Sequence, residues 1–357
     1  MKKSIISLAV LAAATNVAFA QSNVTIYGTV DAGIVSERGA VNGGASTTKV
    51  TSGVASASRL GFRGTEDLGN GLSAVFGLEA GFNIDDGKSN EGGLFGRQSF
   101  VGLKSNTLGA VTLGNQYTAY YKALSEVADP FGAGYAGTAT NLFPSTQRAK
   151  NSIVYVSPAF SGFTGEVNYA LGEQAGANKS GRQVGAAVAY ANGPLNARVV
   201  YSVANNDLVG KVNETLAKNL LLAANYDFGV AKAFFAYGRD KGTASAVGGT
   251  VDLTSDVEVS NGRFTNNSNN ILVGVGAPVG PAGTVMASYI RKNDTEASNM
   301  DATQWAVGYS YALSKRTSAY TSFAKIKNSN NAGYTVGNAT EVGTGDKAFN
   351  VGMRHSF

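Results

Sequence analysis

The chain has 357 residues, 29 Lys and Arg against 24 Asp and Glu, a formal charge of +5, one histidine and no cysteine. The missing thiols exclude a disulfide-stapled exported domain and thiolate metal sites. The charge is too balanced to point to nucleic acid.

The chain opens with MKKSIISLAVLAAATNVAFA. Lys2 and Lys3 precede an apolar stretch from Ile5 to Ala14, and Ala18-Phe19-Ala20 supplies an A-x-A cleavage site. This reads as a secretory signal peptide over 1–20, leaving one domain over 21–357. No later stretch is apolar for the ~18 residues that a spanning helix needs. The next segment, NVTIYGTVDAGIV (23–35), puts Val24, Ile26, Val30, Ala32 and Ile34 on one parity and Asn23, Thr25, Tyr27, Thr29 and Asp31 on the other. Period two is strand alternation.

Strand-like segments of about ten residues continue to the last residue, with no helix to cover their apolar sides. Tight connections at 67–71, 106–110, 157–162, 191–194, 227–230, 278–283 and 313–316 hold turn residues. Long polar or glycine-rich ones lie near 36–57, 85–95, 118–147, 172–182, 205–218, 240–268, 292–301 and 327–346. Long and tight alternate strictly, and fifteen connections join sixteen strands. A strand pair within 240–268 leaves fourteen or eighteen as alternatives.

An all-β, 16-stranded antiparallel transmembrane barrel with short periplasmic turns and long extracellular loops explains this pattern. Lipid then covers the apolar face, and closure pairs every backbone group, as hydrocarbon requires. Leu72, Phe76, Leu78 and Phe82 point outward in the third strand, Val199, Tyr201 and Val203 in the ninth, and Leu220, Leu222, Tyr226 and Phe228 in the tenth. In the last strand, KAFNVGMRHSF, outward parity falls on Phe349, Val351, Met353, His355 and Phe357. The only histidine therefore faces lipid or a neighbouring subunit. A histidine zinc site, a Ser-His-Asp hydrolase and a His-dependent protease all lose their required residue. No enzyme reading survives and no cofactor is called for.

Several strings resemble general diffusion porins of Gram-negative bacteria, in the neisserial-type branch common among β-proteobacteria. They are VTIYGTVDAGI (24–34), SRLGFRGTEDLGNGLSAVFGLEAGF (58–82), FGRQSFVGL (95–103), TLGNQY (112–117), NSIVYVSPAFSGF (151–163), GYSYALSKRTSAY (308–320) and VGMRHSF (351–357). They occur in order along the whole mature chain. The resemblance implies a homotrimer of sixteen-stranded barrels in the bacterial outer membrane, each narrowed by an inward-folded third loop, here 118–147. A terminal aromatic such as Phe357 resembles the signal read by the outer-membrane assembly machinery. Outer-membrane lipid and lipopolysaccharide are the surroundings implied. Small outward residues on strands one to four (Gly28, Ala32, Gly64, Ala74, Ala80) suit subunit contact.

The resemblance also implies an inward arginine ladder at the constriction, matched by Arg59, Arg97 and Arg148. Alternation places Arg59 opposite Leu60 and Phe62, Arg97 opposite Phe100, and Arg148 opposite Ile153 and Tyr155. Glu79 matches the inward glutamate, and Glu126 and Asp129 lie in the third loop without a motif match. Asn115 stands in GNQY where the family commonly has GRQY, which removes a cation. Arg63 and Lys150, of inward parity, restore positive charge. The expected function is passive diffusion of small hydrophilic solutes and ions, with weak to moderate anion selectivity. Alternatives are a channel specific for an anionic solute such as phosphate or a carboxylate, and a surface-binding barrel with a plugged lumen.

Overall fold

The computed structural model of the protein describes residues 23–41, 45–144, 146–205, 216–242, 265 and 267–357. The expected leader lies outside the described residues. The strands are β1 (Asn23–Ala40), β2 (Thr47–Ser52), β3 (Arg59–Gly69), β4 (Leu72–Gly81), β5 (Gln98–Ser105), β6 (Gly109–Tyr117), β7 (Arg148–Val156), β8 (Phe163–Ala170) and β9 (Gln183–Asn192). They continue as β10 (Leu195–Asn205), β11 (Leu216–Asp227), β12 (Lys232–Lys241), β13 (Ser268–Val279), β14 (Gly283–Asp294), β15 (Ala302–Ala312), β16 (Thr317–Asn328) and β17 (Gly345–Ser356).

β1 pairs antiparallel with β2 and β3, from β3 onward each strand pairs antiparallel with the next, and β1 pairs with β17, from Thr29↔Ser356 to Ala40↔Gly345. The wall is closed. It has sixteen strands, because β2 and β3 occupy one position: β1 pairs with β2 along its loop half and with β3 along its turn half. β12 pairs directly with β13 as its wall neighbour, and most of 240–268, where a further strand pair is the alternative, lies outside the described residues. All seven tight turns lie where the turn residues put them. At the first, Asn70 and Gly71 take φ of 52° and 75°, the left-handed region that Asn and Gly tolerate.

The first long loop is shorter than 36–57, because β1 runs to Ala40 and β2 returns from Thr47. Both faces of that stretch are polar, so alternation carries no signal there although the backbone keeps pairing. The break between β2 and β3 has a cause. Asp31, wholly buried, accepts the backbone N–H groups of Val54 (2.9 Å), Ala55 (3.3 Å) and Ser56 (3.1 Å) and the Tyr320 hydroxyl (2.7 Å). Those donors leave the ladder, and segment 53–58 turns into the lumen.

The outer surface is the apolar band the alternation describes, with Ile26 61% and Val101 59% exposed. Aromatic rings flank it at both ends: Phe163, Tyr226, Phe228 and Tyr311 near the turns, Tyr237, Tyr289, Trp305 and Phe349 near the loops. The interior departs from a uniformly polar lumen. Inward Leu221, Leu272, Ile290 and Ile326 are fully buried. They pack against Val127, Phe131, Ala136, Leu142 and Phe143 of the 118–147 loop. This part of the inner wall is thus a protein core, covered by the 118–147 loop together with Ala332, Tyr334 and Val336 of the last loop.

Candidate pore constriction

The 118–147 loop enters the lumen through a short helix, α1 (Ala119–Ala123), capped by the Thr118 hydroxyl, which accepts from Tyr121 N–H at 3.1 Å. One π turn follows over Leu124–Ala128. Wall side chains then hold the loop's backbone. Asn225 Nδ2 donates to Val127 O (2.8 Å), Gln304 Nε2 to Gly137 O (3.0 Å) and Lys292 Nζ to Leu142 O (3.0 Å); Ser322 Oγ accepts from Ala136 N–H (3.1 Å). Tyr135 N–H donates to Val54 O (2.7 Å), tying the loop to segment 53–58. The loop lies along the β8–β17 side, and the open lumen falls between it and the β3–β7 wall.

That wall carries the cations. Glu79, 4% exposed, accepts from Arg97 Nε at 2.7 Å and from the Tyr27 hydroxyl at 3.0 Å, with Arg59 Nε 3.7 Å away. Arg148 bonds Glu91 at 2.6 Å and lies over the Tyr117 ring, 4.9 Å from its centroid; Tyr117 Oη accepts from Arg97 at 2.6 Å. The three arginines and Glu79 therefore form one chain, bridged by Glu91 and Tyr117. Across from it, Ser125, Glu126, Gly132 and Ala133 of the loop and Arg59, Arg97 and Tyr117 of the wall line a gap of about 210 Å³.

Alternation accounts for Arg59, but not for two others. Phe100 lies over Gly77 on the inner face, so strict parity would turn Arg97 outward. Arg97 instead precedes β5, where the chain bends and carries it to Glu79. For Arg148, the count from Ile153 crosses a bulge opposite Gly114 and Gln116. Gly114 takes φ +141°, and a Cβ there would lie 2.0 Å from Ser99 O, so only glycine fits. Lys150 sits exposed in that bulge and joins no described ion pair. Arg63 is exposed below the cluster, over the Tyr27 ring at 5.3 Å. Asn115 donates to Gly96 O at 2.8 Å and brings no charge.

The loop acids separate. Glu126 faces the gap and pairs with Arg198 at 2.8 Å. Asp129 does not reach the lumen. It is 4% exposed and accepts the N–H groups of Phe131 (2.9 Å), Ala133 (3.0 Å) and Ala139 (2.8 Å). Its place in the constriction is corrected: it folds the loop. Four charged groups at the site escaped sequence reasoning: Glu91, Arg198, Lys122 and Glu166, the last two paired at 2.6 Å. Arg198 was findable, being opposite in parity to Val199 and Tyr201. Glu91 was not, since it lies in the irregular second loop.

Burial pushes the Asp129 carboxyl up to about 6, against the pull of its three N–H donors. A raised acid pKa means the folded loop binds the proton more tightly than the unfolded chain does. Its stabilising share is complete below about pH 4 and is lost as pH rises through about 6. A carboxyl ¹³C titration should place the midpoint near that value. Asp129→Ala leaves three buried N–H groups unpaired, at about 1–3 kcal/mol each. We expect the variant to show larger and noisier single-channel currents, with the barrel's circular dichroism unchanged.

A family profile described as Gram-negative porin matches residues 7–331. An outer membrane porin protein of Bordetella pertussis is 35% identical over 400 aligned residues, covering all of both chains. The major outer membrane protein P.IB of Neisseria lactamica is 32% identical, again over all of both chains. Among solved structures, the anion-selective porin from Comamonas acidovorans superposes with a TM-score of 0.73 at 32% identity, covering 94% of this chain and all of that one.

Proposed function

This chain belongs to the Gram-negative porin family, and we propose that it is a weakly to moderately anion-selective diffusion pore whose constriction is set by Arg59, Arg97 and Arg148. The observation that carries the proposal is the charge count at the gap. Arg59, Arg97, Arg148, Lys122 and Arg198 stand against Glu79, Glu91, Glu126 and Glu166, with Arg63 in addition just below. Cations lead by a small margin, so anions are favoured and cations are not excluded. The Comamonas acidovorans neighbour's anion selectivity supports the same sign. The zero-current potential across a planar bilayer under a salt gradient tests it; a cation-selective potential in dilute salt would overturn it. The reading assigns the chain no catalysis.

A channel specific for an oxyanion has one observation in its favour: Arg148 Nε–H is buried without an acceptor among the described residues. Saturating, concentration-dependent block by phosphate or a carboxylate would select it over general diffusion.

We further propose removal of the 1–20 leader and assembly as a homotrimer through the outer face of β1–β5 together with the last strand, β17, where His355 and Phe357 would meet a neighbour. Small outward residues there, Ala32 and Ala74 among them, permit close approach. Ala32→Trp/Ala74→Trp is expected to yield monomers by native mass spectrometry, while Ala186→Trp, on the outer face of β9, leaves the trimer intact. Trimers surviving the first change would place the interface elsewhere.

A further inference from the structure

Segment 53–58 belongs neither to the sheet nor to the arginine ladder, yet it touches both sides of the gap. β2 ends at Ser52 and β3 begins at Arg59. Between them Val54 and Ser58 are fully buried, and Ala55 and Ala57 are buried as well. Backbone groups removed from both the ladder and water need other partners. Asp31 of β1 supplies them. Its two oxygens take the consecutive N–H groups of Val54, Ala55 and Ser56 together with the Tyr320 hydroxyl. Four donors fill the lone-pair sites of one carboxylate. The Asp31 backbone adds two bonds: its N–H donates to Ser58 Oγ (3.1 Å), and the Ser58 hydroxyl donates to Asp31 O (3.2 Å). Tyr320 comes from β16, and its ring meets Tyr135 of the 118–147 loop edge-on, 5.2 Å between centroids.

The constriction hangs on this segment. Val54 O accepts from Tyr135 N–H (2.7 Å) and from Ala339 N–H of the last loop (3.4 Å). Ala55 backs onto the 118–147 loop at Gly134, where a Cβ would collide with Ala55 O. Toward the wall, Arg59 Nη1 donates to Ser56 Oγ and to Ala57 O, both at 3.2 Å. Ala55, Ser56 and Ala57 line the gap together with Arg59, Arg97 and Tyr117 of the wall and Gly132 and Ala133 of the loop. One short segment therefore grips a ladder arginine on one side and the constriction loop on the other.

We propose that 53–58 is a second jaw of the constriction, and that Asp31 and Tyr320 are positioning residues that set the width of the gap through it. A carboxylate is required at position 31. An amide has a single acceptor oxygen, and its NH2 group would face backbone N–H donors. Without the carboxylate the jaw comes free, and the Arg59 head loses the two acceptors that orient it. The inference rests on the gap being the narrowest part of the pore, and not on which ions it prefers.

Purified full-length protein in liposomes tests it, with swelling rates in arabinose and in raffinose reporting the flux of each. Neutral sugars read width apart from charge. Asp31→Asn should raise the raffinose-to-arabinose ratio severalfold, and Tyr320→Phe should raise it less. Ser56→Phe, which places a ring on the jaw, should lower it. Glu37→Gln alters another buried carboxylate of β1, one bonded to Thr344 and Lys49 away from the gap, and should leave the ratio unchanged. In planar bilayers, Arg59→Ser should move the zero-current potential less in the Asp31→Asn background than in wild type. Equal movement in both backgrounds would reduce Asp31 to a structural residue and defeat the positioning role. A wild-type sugar ratio in Asp31→Asn, or the same rise in Glu37→Gln, would overturn the jaw. If Asp31→Asn does not fold, wild-type ratios in Tyr320→Phe and Ser56→Phe overturn it instead. A cation-selective potential with the sugar ratios as expected would remove the proposed anion selectivity and leave the jaw standing.

Discussion

Deleting Phe357 is expected to abolish outer-membrane insertion while leaving passage across the inner membrane intact. In the folded barrel the residue does modest work. Its N–H donates to Gly28 O (3.1 Å), its C=O accepts from Gly28 N–H (3.0 Å), and its ring lies over Gly28 on the outer face. Two hydrogen bonds contribute about 1–3 kcal/mol net, little against a wall in which every other strand keeps its pairing. The loss in the cell should therefore far exceed the loss of stability. Protein lacking Phe357 should refold in detergent to a heat-resistant barrel yet accumulate in the periplasm, and Phe357→Tyr should insert normally. Heat-resistant protein in the outer membrane after the deletion would mean that the terminal aromatic only closes the seam.

Replacing Arg59, Arg97 and Arg148 together by serine is expected to reverse the sign of the zero-current potential. Glu79, Glu91, Glu126 and Glu166 would then face only Lys122 and Arg198 at the gap. The Debye length is about 10 Å at 0.1 M salt and about 3 Å at 1 M, so the shift should be largest in dilute salt and fade as salt rises. Removing the arginines also leaves Glu79 buried with the Tyr27 hydroxyl as its remaining partner. Breaking a buried pair costs about 3–5 kcal/mol, so the triple variant should be compared with one that adds Glu79→Gln. Both should conduct more than wild type, since the arginine side chains no longer fill the gap. A potential unchanged in dilute salt would make the ladder a structural brace, with selectivity set elsewhere.

The strand count, the outward faces and the order of tight and long connections were all legible in the sequence. In hydrocarbon every backbone group must pair with its neighbour strand, so each segment's period-two pattern reports its own environment. Arg59 and Glu79 were legible for the same reason, lying inside regular strands. Leu221 within LLLAA and Ile326 within KIKN put apolar residues on the inner parity, a readable sign that part of the lumen is covered.

What only the tertiary structure decided is how the charges meet. Arg97 and Arg148 reach Glu79, Glu91 and Tyr117 through a bend before β5 and a bulge at Gly114, where alternation stops. Glu91 joins them from an irregular loop, while Asp129 turns away to fold its own loop. A strand's parity is fixed by its own backbone, but a loop's path is set by distant partners. Asn225, Ser322 and Gln304 hold this one from strands about 100 to 190 residues further along the chain, and no local pattern encodes that docking.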